Sequence, residues 1–169
     1  MEVTPAEIER ILALLAETPQ RIAVLTSGLE PAQLHSSADQ EAWSVHIILA
    51  HLRSCADIWG KSILAMIAED KPTLRYVSPR TWIKKTNYLE QEFYASLQAF
   101  AQQRTGLLAS LSSLASADWL RTATFTGTVQ WRDQTIFSYA QQIVDHELQH
   151  LEQIESVRRA GVKRHESEA

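Results

Sequence analysis

The stretch that decides the fold is residues 139–157, YAQQIVDHELQHLEQIESV. Its apolar and aromatic side chains recur at the spacing of one helical face, which predicts an amphipathic helix with one side in a protein core. His146 and His150 are four residues apart and fall on that same face. The sequence therefore places two imidazoles on the side of a helix that packs against its neighbours.

The first predicted helix begins at Pro5. Thr4 and Glu7 have the spacing of a capping box, in which a hydroxyl and a carboxylate satisfy free backbone amides at the start of a helix. Pro19 is expected to kink or divide this helix, because proline cannot donate the helical hydrogen bond. Gly28 is a suitable residue for the end of the helix.

Two more helices are predicted in the middle of the chain. One is capped by Ser44 and runs to about Glu69, and the other covers residues 86–114. The threonine-rich stretch 120–133 is expected to form a short extended excursion or a hairpin. The last helix follows it and is predicted to end at Gly161.

Four long amphipathic helices predict an all-α fold, a four-helix bundle with long connections before the second and fourth helices. The 169 residues fit a single domain, which we assign to residues 1–162, with a disordered tail at 163–169. The chain has only five glycines and five prolines. That is few for an all-β protein with many turns, and it favours long helices.

Composition also restricts the classes of partner that the protein is expected to bind. The net charge of −4 gives no indication of the basic face that binding to nucleic acid or an anionic membrane requires. The single cysteine, Cys55, excludes an internal disulfide. The first residues lack the features of a signal peptide, and no uncharged apolar stretch approaches membrane-spanning length. We therefore expect a cytoplasmic protein.

The second helix carries a third inward-facing histidine. His51 falls on the apolar stripe of this helix, whereas His46 falls on a polar stripe. Periodicity thus predicts that His51 points into the bundle and that His46 points outward. His35 in a loop and His165 in the tail are expected to be exposed.

Three imidazoles in one core are costly if they stay unpaired, and charging them there costs more. A divalent metal removes both costs, because it binds the neutral ring through one nitrogen. His51, His146 and His150 are therefore the predicted metal ligands, and three ligands leave a position for water or substrate.

Two neighbours of these histidines have alternative roles. Glu147 completes a formal His-Glu-x-x-His match to the zinc-protease signature, in which it would act as general base. Otherwise it is a carboxylate on the helix surface or beside the site, where it orients a ligand histidine. For Cys55 we expect a small buried thiol, with a fourth ligand or a nucleophile as the alternative.

The connections contribute weaker candidates. Trp82 and Trp131 lie between helices, so either is a candidate wall for a ligand pocket over the metal. The basic cluster of Arg80, Lys84 and Lys85 is interpreted as a solvated surface charge group, with attraction of an anionic substrate as the alternative.

Four short features match, in order and separation, the pattern of one protein family. They are Trp43-Ser44, His51-Leu52, His146 with His150, and Gln153-Ile154. On these features the chain, from about Glu7 to Gly161, resembles the DinB-like superfamily of metal-binding four-helix bundles.

The resemblance implies a metal on His51, His146 and His150, usually nickel, zinc, manganese or iron, and a homodimer. Relatives include transferases and isomerases that use low-molecular-weight thiols, and others labelled as metal-dependent hydrolases. We therefore expect a metal-dependent enzyme that activates a thiol or water for attack on a small electrophilic substrate. The alternatives are a non-catalytic, metal-stabilised helical module for dimerisation or partner binding and, less favoured, a metallopeptidase.

Overall fold

The computed structural model describes residues 3–37, 42–127 and 132–168, with side chains as far as residue 160. In this part of the chain there are six α-helices and three strands. They are α1 (Pro5–Thr26), α2 (Pro31–His35), α3 (Val45–Ala68), β1 (Thr73–Arg75), α4 (Pro79–Trp82), α5 (Phe93–Ser112), β2 (Thr122–Thr126), β3 (Arg132–Thr135) and α6 (Ile136–Glu168). Two short 3₁₀ helices lie at Ile83–Lys85 and Ser116–Leu120.

Helix α1 begins as predicted. The Thr4 hydroxyl accepts a hydrogen bond from the Glu7 amide at 3.3 Å, and the Glu7 carboxylate accepts one from the Thr4 amide at 2.8 Å. Of the two outcomes expected at Pro19, a kink or a division, the division was wrong, because α1 is continuous to Thr26. Leu15 and Ile22, on either side of the proline, are fully buried, and their packing holds the helix together across the missing hydrogen bond.

Helix α3 matches its prediction, since the Ser44 hydroxyl accepts a hydrogen bond from the Ile47 amide at 3.3 Å and the helix ends at Ala68. Helix α5 starts later than predicted, at Phe93 instead of residue 86. The Glu92 carboxylate caps it by accepting hydrogen bonds from two amides of the first turn. Residues 86–92 form turns that lie against α3 instead.

The hairpin predicted within residues 120–133 is confirmed, since β2 and β3 pair in antiparallel fashion. Strand β1 was not predicted. It pairs in parallel with β2, with Thr73 opposite Thr124 and Arg75 opposite Thr126, and completes a sheet in the order β1-β2-β3. The sheet ties the connection after α3 to the connection before α6.

The four long helices form the predicted bundle, with an arrangement set by the long connections. The principal contacts join α1 to α5 and α6, and join α3 to the same two helices. Helices α1 and α3 are therefore diagonal to each other, as are α5 and α6. This places α3 beside α6, so the two helices that carry the predicted ligands share an interface.

Helix α6 continues past Gly161, the predicted end, as far as Glu168. The assignment of one domain with a disordered tail at 163–169 stays a prediction. No helix in the described ranges is both long enough and apolar enough to cross a membrane.

Candidate metal centre

The interface of α3 and α6 brings together the three predicted ligands. The Nε2 atom of His51 lies 3.3 Å from the Nε2 atom of His146, across the interface. The Nε2 atom of His150, one turn further along α6, lies 3.2 Å from that of His146. We call His51, His146 and His150 the imidazole cluster.

These separations fit a single metal ion. Two nitrogens bonded to a tetrahedral zinc-type ion at about 2.0–2.1 Å lie about 3.3–3.4 Å apart. The two measured Nε2–Nε2 distances of 3.3 and 3.2 Å agree with that edge length. The two edges that meet at His146 therefore have the spacing that a divalent transition metal requires.

Hydrogen bonding alone does not account for the imidazole cluster. The Nε2 atom of a neutral imidazole carries either one hydrogen or one lone pair. That of His146 faces two other Nε2 atoms, so at most one of the two contacts is a well-formed hydrogen bond. A cation between the rings accepts the lone pairs of all three nitrogens at once.

One further residue fixes the orientation of a ligand. Gln153 Oε1 lies 3.0 Å from His150 Nδ1 and accepts its hydrogen, which leaves the His150 Nε2 lone pair directed at the imidazole cluster. The Nδ1 atoms of His51 and His146 are buried and have no hydrogen-bond partner among the described residues.

Burial keeps all three rings neutral. Burial, and after it the proximity of His150 and Arg80, lowers the pKa of His51 to about 4 and that of His146 to about 3. Burial also lowers the pKa of His150, whereas the hydrogen bond that His150 donates to Gln153 acts in the opposite direction. Neutral imidazole is the form that binds a metal, so the cluster is ready to bind at neutral pH.

Two tryptophans enclose the imidazole cluster. The Trp43 ring stacks on His150, with centroids 6.0 Å apart and planes 4° apart, and meets the His51 ring at 5.0 Å. The Trp59 ring meets His146 edge-on at 4.7 Å. The sequence did not predict these contacts, because helical periodicity does not reveal which side chain an aromatic ring will contact.

The tryptophans and basic residues predicted from the connections differ in how close they lie to the imidazole cluster. Trp82 donates a hydrogen bond to Asp57 at 2.9 Å on α3, and Trp131 lies outside the described residues. In the basic cluster, Lys84 and Lys85 are exposed as expected. The guanidinium of Arg80 lies 5.1 Å from the centroid of the Trp43 ring, next to the imidazole cluster.

The prediction that His46 points outward was wrong. It is only 4% exposed, and its Nε2 donates a hydrogen bond to the Leu89 carbonyl at 2.9 Å. Residues 86–92, expected to be helical, fold over this face of α3 and bury it. His35 is exposed as predicted, and its ring lies 4.3 Å from that of His46. The prediction for His165 lies outside the described side chains.

Glu147 is not on the helix surface. It is 3% exposed and forms an ion pair with Arg104 of α5, which is equally buried. Because α5 and α6 are diagonal to each other, this pair crosses the interior of the bundle. Its carboxylate is thus bound to a guanidinium, an arrangement that favours a structural role over that of a general base.

Cys55 is buried as predicted, with 2% exposure. Its Sγ lies 3.5 Å from His51 Nε2, and the donor atoms of Cys55, His51 and His146 all lie within 4.8 Å of one another. Burial raises the pKa of this thiol, so the sulfur is protonated in the absence of a metal.

The fold and the imidazole cluster define a class: a helical bundle with a candidate metal centre between two of its helices. A family model of the DinB superfamily matches residues 14–154. The chain belongs to this superfamily, which confirms the resemblance found in the sequence.

The fold is also that of a known structure. YfiT from Bacillus subtilis, described as a probable metal-dependent hydrolase with an unusual four-helix bundle topology, is similar to this chain with a TM-score of 0.82. The match covers 94% of this chain and 89% of YfiT at 16% sequence identity, so it establishes the shared fold. No curated protein matches the chain.

Proposed function

We propose that the protein is a metal-dependent enzyme that holds one divalent transition metal on His51, His146 and His150. The observation that carries this proposal is that the Nε2 atoms of His51 and His150 lie 3.3 and 3.2 Å from the Nε2 atom of His146. His146 and His150 are partly exposed, which supports a site that a substrate can reach.

The chemistry of the donor atoms restricts which metal ions the site can hold. Imidazole nitrogens suit zinc, nickel and iron, whereas magnesium and calcium prefer carboxylate and carbonyl oxygens. The nearest acidic residue in sequence, Glu147, is bound to Arg104. Nickel, zinc, manganese and iron are the candidates, and of these manganese fits the nitrogen donors least well.

When bound, a divalent metal supplies Lewis acidity that lowers the pKa of a coordinated water or thiol. Gln153 holds the His150 ring in the tautomer that directs Nε2 at the site. The Trp43 and Trp59 rings hold the imidazoles in place and exclude bulk water from one side. The Arg80 guanidinium over Trp43 is a cation that attracts an anionic group of a substrate.

The reaction we propose is attack of a thiol or of water on a small electrophilic molecule. The description of YfiT as a probable metal-dependent hydrolase supports water as the nucleophile. The resemblance to thiol-dependent relatives supports a low-molecular-weight thiol, and thus a transferase. A homodimer and a cytoplasmic location stay predictions.

Turnover by the metal-loaded protein tests this proposal. Protein loaded separately with nickel, zinc, manganese or iron(II) is assayed on an activated ester and on an aryl halide, each with and without added cysteine or glutathione. We expect turnover with at least one metal and its loss in His51→Ala. His35→Ala, at an exposed histidine outside the imidazole cluster, is the matched control and retains activity. Equal rates in wild type and His51→Ala would overturn the proposal.

A non-catalytic, metal-stabilised module is the second candidate, and the position of Cys55 favours it. A fourth protein donor beside His51 gives the site the donor number of a closed, structural metal centre. In that case metal raises the melting temperature, and no substrate in the panel is turned over with any metal.

A metallopeptidase would need a free carboxylate at Glu147. The buried ion pair with Arg104 weighs against it. Casein hydrolysis that is lost in Glu147→Gln, at unchanged metal content, would restore this alternative.

A further inference from the structure

The two helices at the metal centre present matching pairs of donors. Helix α6 carries His146 and His150 four residues apart, and α3 carries His51 and Cys55 at the same spacing. Residues at this spacing lie one above the other on a helical face, so each helix directs two donor atoms to the shared interface. The sequence prediction used three of these four donors.

The distance from the sulfur to the nearest imidazole nitrogen fits a shared metal ion. Around a tetrahedral ion, a sulfur at about 2.3 Å and a nitrogen at about 2.0–2.1 Å lie about 3.5–3.6 Å apart. The measured distance between Cys55 Sγ and His51 Nε2 is 3.5 Å. Cys55 also lies within 4.8 Å of the His146 donor atom.

Packing brings this sulfur to the site from the interior. Cys55 is 2% exposed and His51 is 6% exposed, whereas His146 and His150 are partly exposed. The sulfur therefore approaches from the buried side, and the accessible side of the imidazole cluster stays free. The sulfur has no disulfide partner within the chain, because Cys55 is its single cysteine.

We propose that Cys55 is a fourth protein ligand, so that the metal is held by three imidazoles and one thiolate. The inference rests on the proposed metal site. On binding, the thiol proton leaves to solvent as the metal–sulfur bond forms, and nothing is oxidised or reduced.

A thiolate changes which metal the site retains. Soft sulfur donors favour zinc, nickel, cobalt(II) and iron(II) over manganese. An ion that accepts five ligands keeps an open position on the accessible side, whereas a four-coordinate ion does not. Cys55 thus decides both the occupant of the site and whether the site is open.

Spectroscopy of the cobalt(II)-loaded protein tests this ligand directly. A thiolate bound to cobalt(II) gives an intense charge-transfer band in the near ultraviolet, and X-ray absorption detects a sulfur neighbour at about 2.3 Å. Because the chain has one cysteine, Cys55 is the sole source of a thiolate signal. We expect both signals in wild type and their loss in Cys55→Ser and Cys55→Ala.

Competition between metals gives a second readout. Cys55→Ser is expected to weaken zinc binding by about tenfold or more and to change manganese binding much less. Circular dichroism establishes that the variants are folded. Binding of cobalt(II) by wild type without the charge-transfer band or the sulfur neighbour would overturn this inference and leave the three-histidine site intact. Failure of wild type to bind any metal would overturn both proposals.

Discussion

Two groups of polar side chains lie on neighbouring faces of α6, and they begin at consecutive residues. His146 belongs to the imidazole cluster, whereas Glu147 forms the ion pair with Arg104 in the bundle interior. The ion pair is charged and almost completely buried, at 3% and 4% side-chain exposure. The imidazole cluster is neutral and partly exposed.

The difference in charge and burial indicates a structural role for the ion pair and a binding role for the imidazole cluster. In the ion pair each charge neutralises the other, so this contact is complete within the folded chain. In the imidazole cluster at most one of the two contacts of His146 Nε2 is a well-formed hydrogen bond, and the cation of the proposed site would satisfy the ring nitrogens together. Mutations in the ion pair should therefore lower the free energy of unfolding, whereas mutations in the imidazole cluster should weaken metal binding.

The largest effect is expected from breaking the ion pair. Arg104→Ala leaves the Glu147 carboxylate buried without a partner, which should lower the free energy of unfolding by about 3–5 kcal/mol. Urea denaturation measures this loss. Arg159→Ala is the matched control, because it breaks the exposed pair with Glu155 and should cost less than about 1 kcal/mol. Equal losses in the two variants would contradict the structural role of the buried pair.

Removing one imidazole should weaken metal binding. His51→Ala is expected to weaken the binding of zinc or nickel by about 100-fold or more, because even loss of an outer hydrogen bond to a ligand costs about 10–100-fold. Isothermal titration calorimetry measures the affinity, with His35→Ala as the control. An unchanged dissociation constant in His51→Ala would show that the metal lies elsewhere.

Acid should destabilise the metal-free protein through the same imidazoles. In the unfolded chain His51 and His146 take up protons near pH 6.5, whereas in the folded chain they do so only near pH 4 and 3. The unfolded state therefore binds more protons between these values, and stability falls as the pH drops below about 6.5. Denaturation of metal-free wild type and His51→Gln at several pH values checks this, and the variant should show the shallower loss. Parallel pH profiles would contradict it.

The smallest effect is expected from removing the hydrogen bond between Gln153 and the His150 ring. Gln153→Ala removes the acceptor for His150 Nδ1–H and frees the ring to change its tautomer. Metal affinity should fall by about tenfold, with little change in the stability of the metal-free protein. Calorimetry at matched pH measures both, and a loss as large as that in His51→Ala would mean that Gln153 does more than orient the ring.

The features that the sequence predicted correctly have local causes. The caps at Thr4 and Ser44 and the apolar stripes of α3 and α6 depend on residues close in sequence. The phase of those stripes was enough to place His51 and His146 on facing sides. The imidazole cluster was thus predictable because it follows from two helical faces that meet.

The features that were missed depend on contacts distant in sequence. His46 is buried because residues 86–92 fold over α3, where the Leu89 carbonyl accepts its hydrogen bond. Strand β1 is three residues long and pairs with a distant strand. The partner of Glu147 lies across the bundle on α5, and helical periodicity cannot specify it.

The two indole rings that contact the imidazole cluster give the protein an intrinsic fluorescence signal close to the proposed metal site. Trp43 and Trp59 lie 5.0 and 4.7 Å, centroid to centroid, from imidazoles of the proposed ligands. At such distances a paramagnetic ion such as cobalt(II) or nickel(II) quenches the emission of both indoles. Binding of such an ion at the proposed site can therefore be followed by tryptophan fluorescence, without any label.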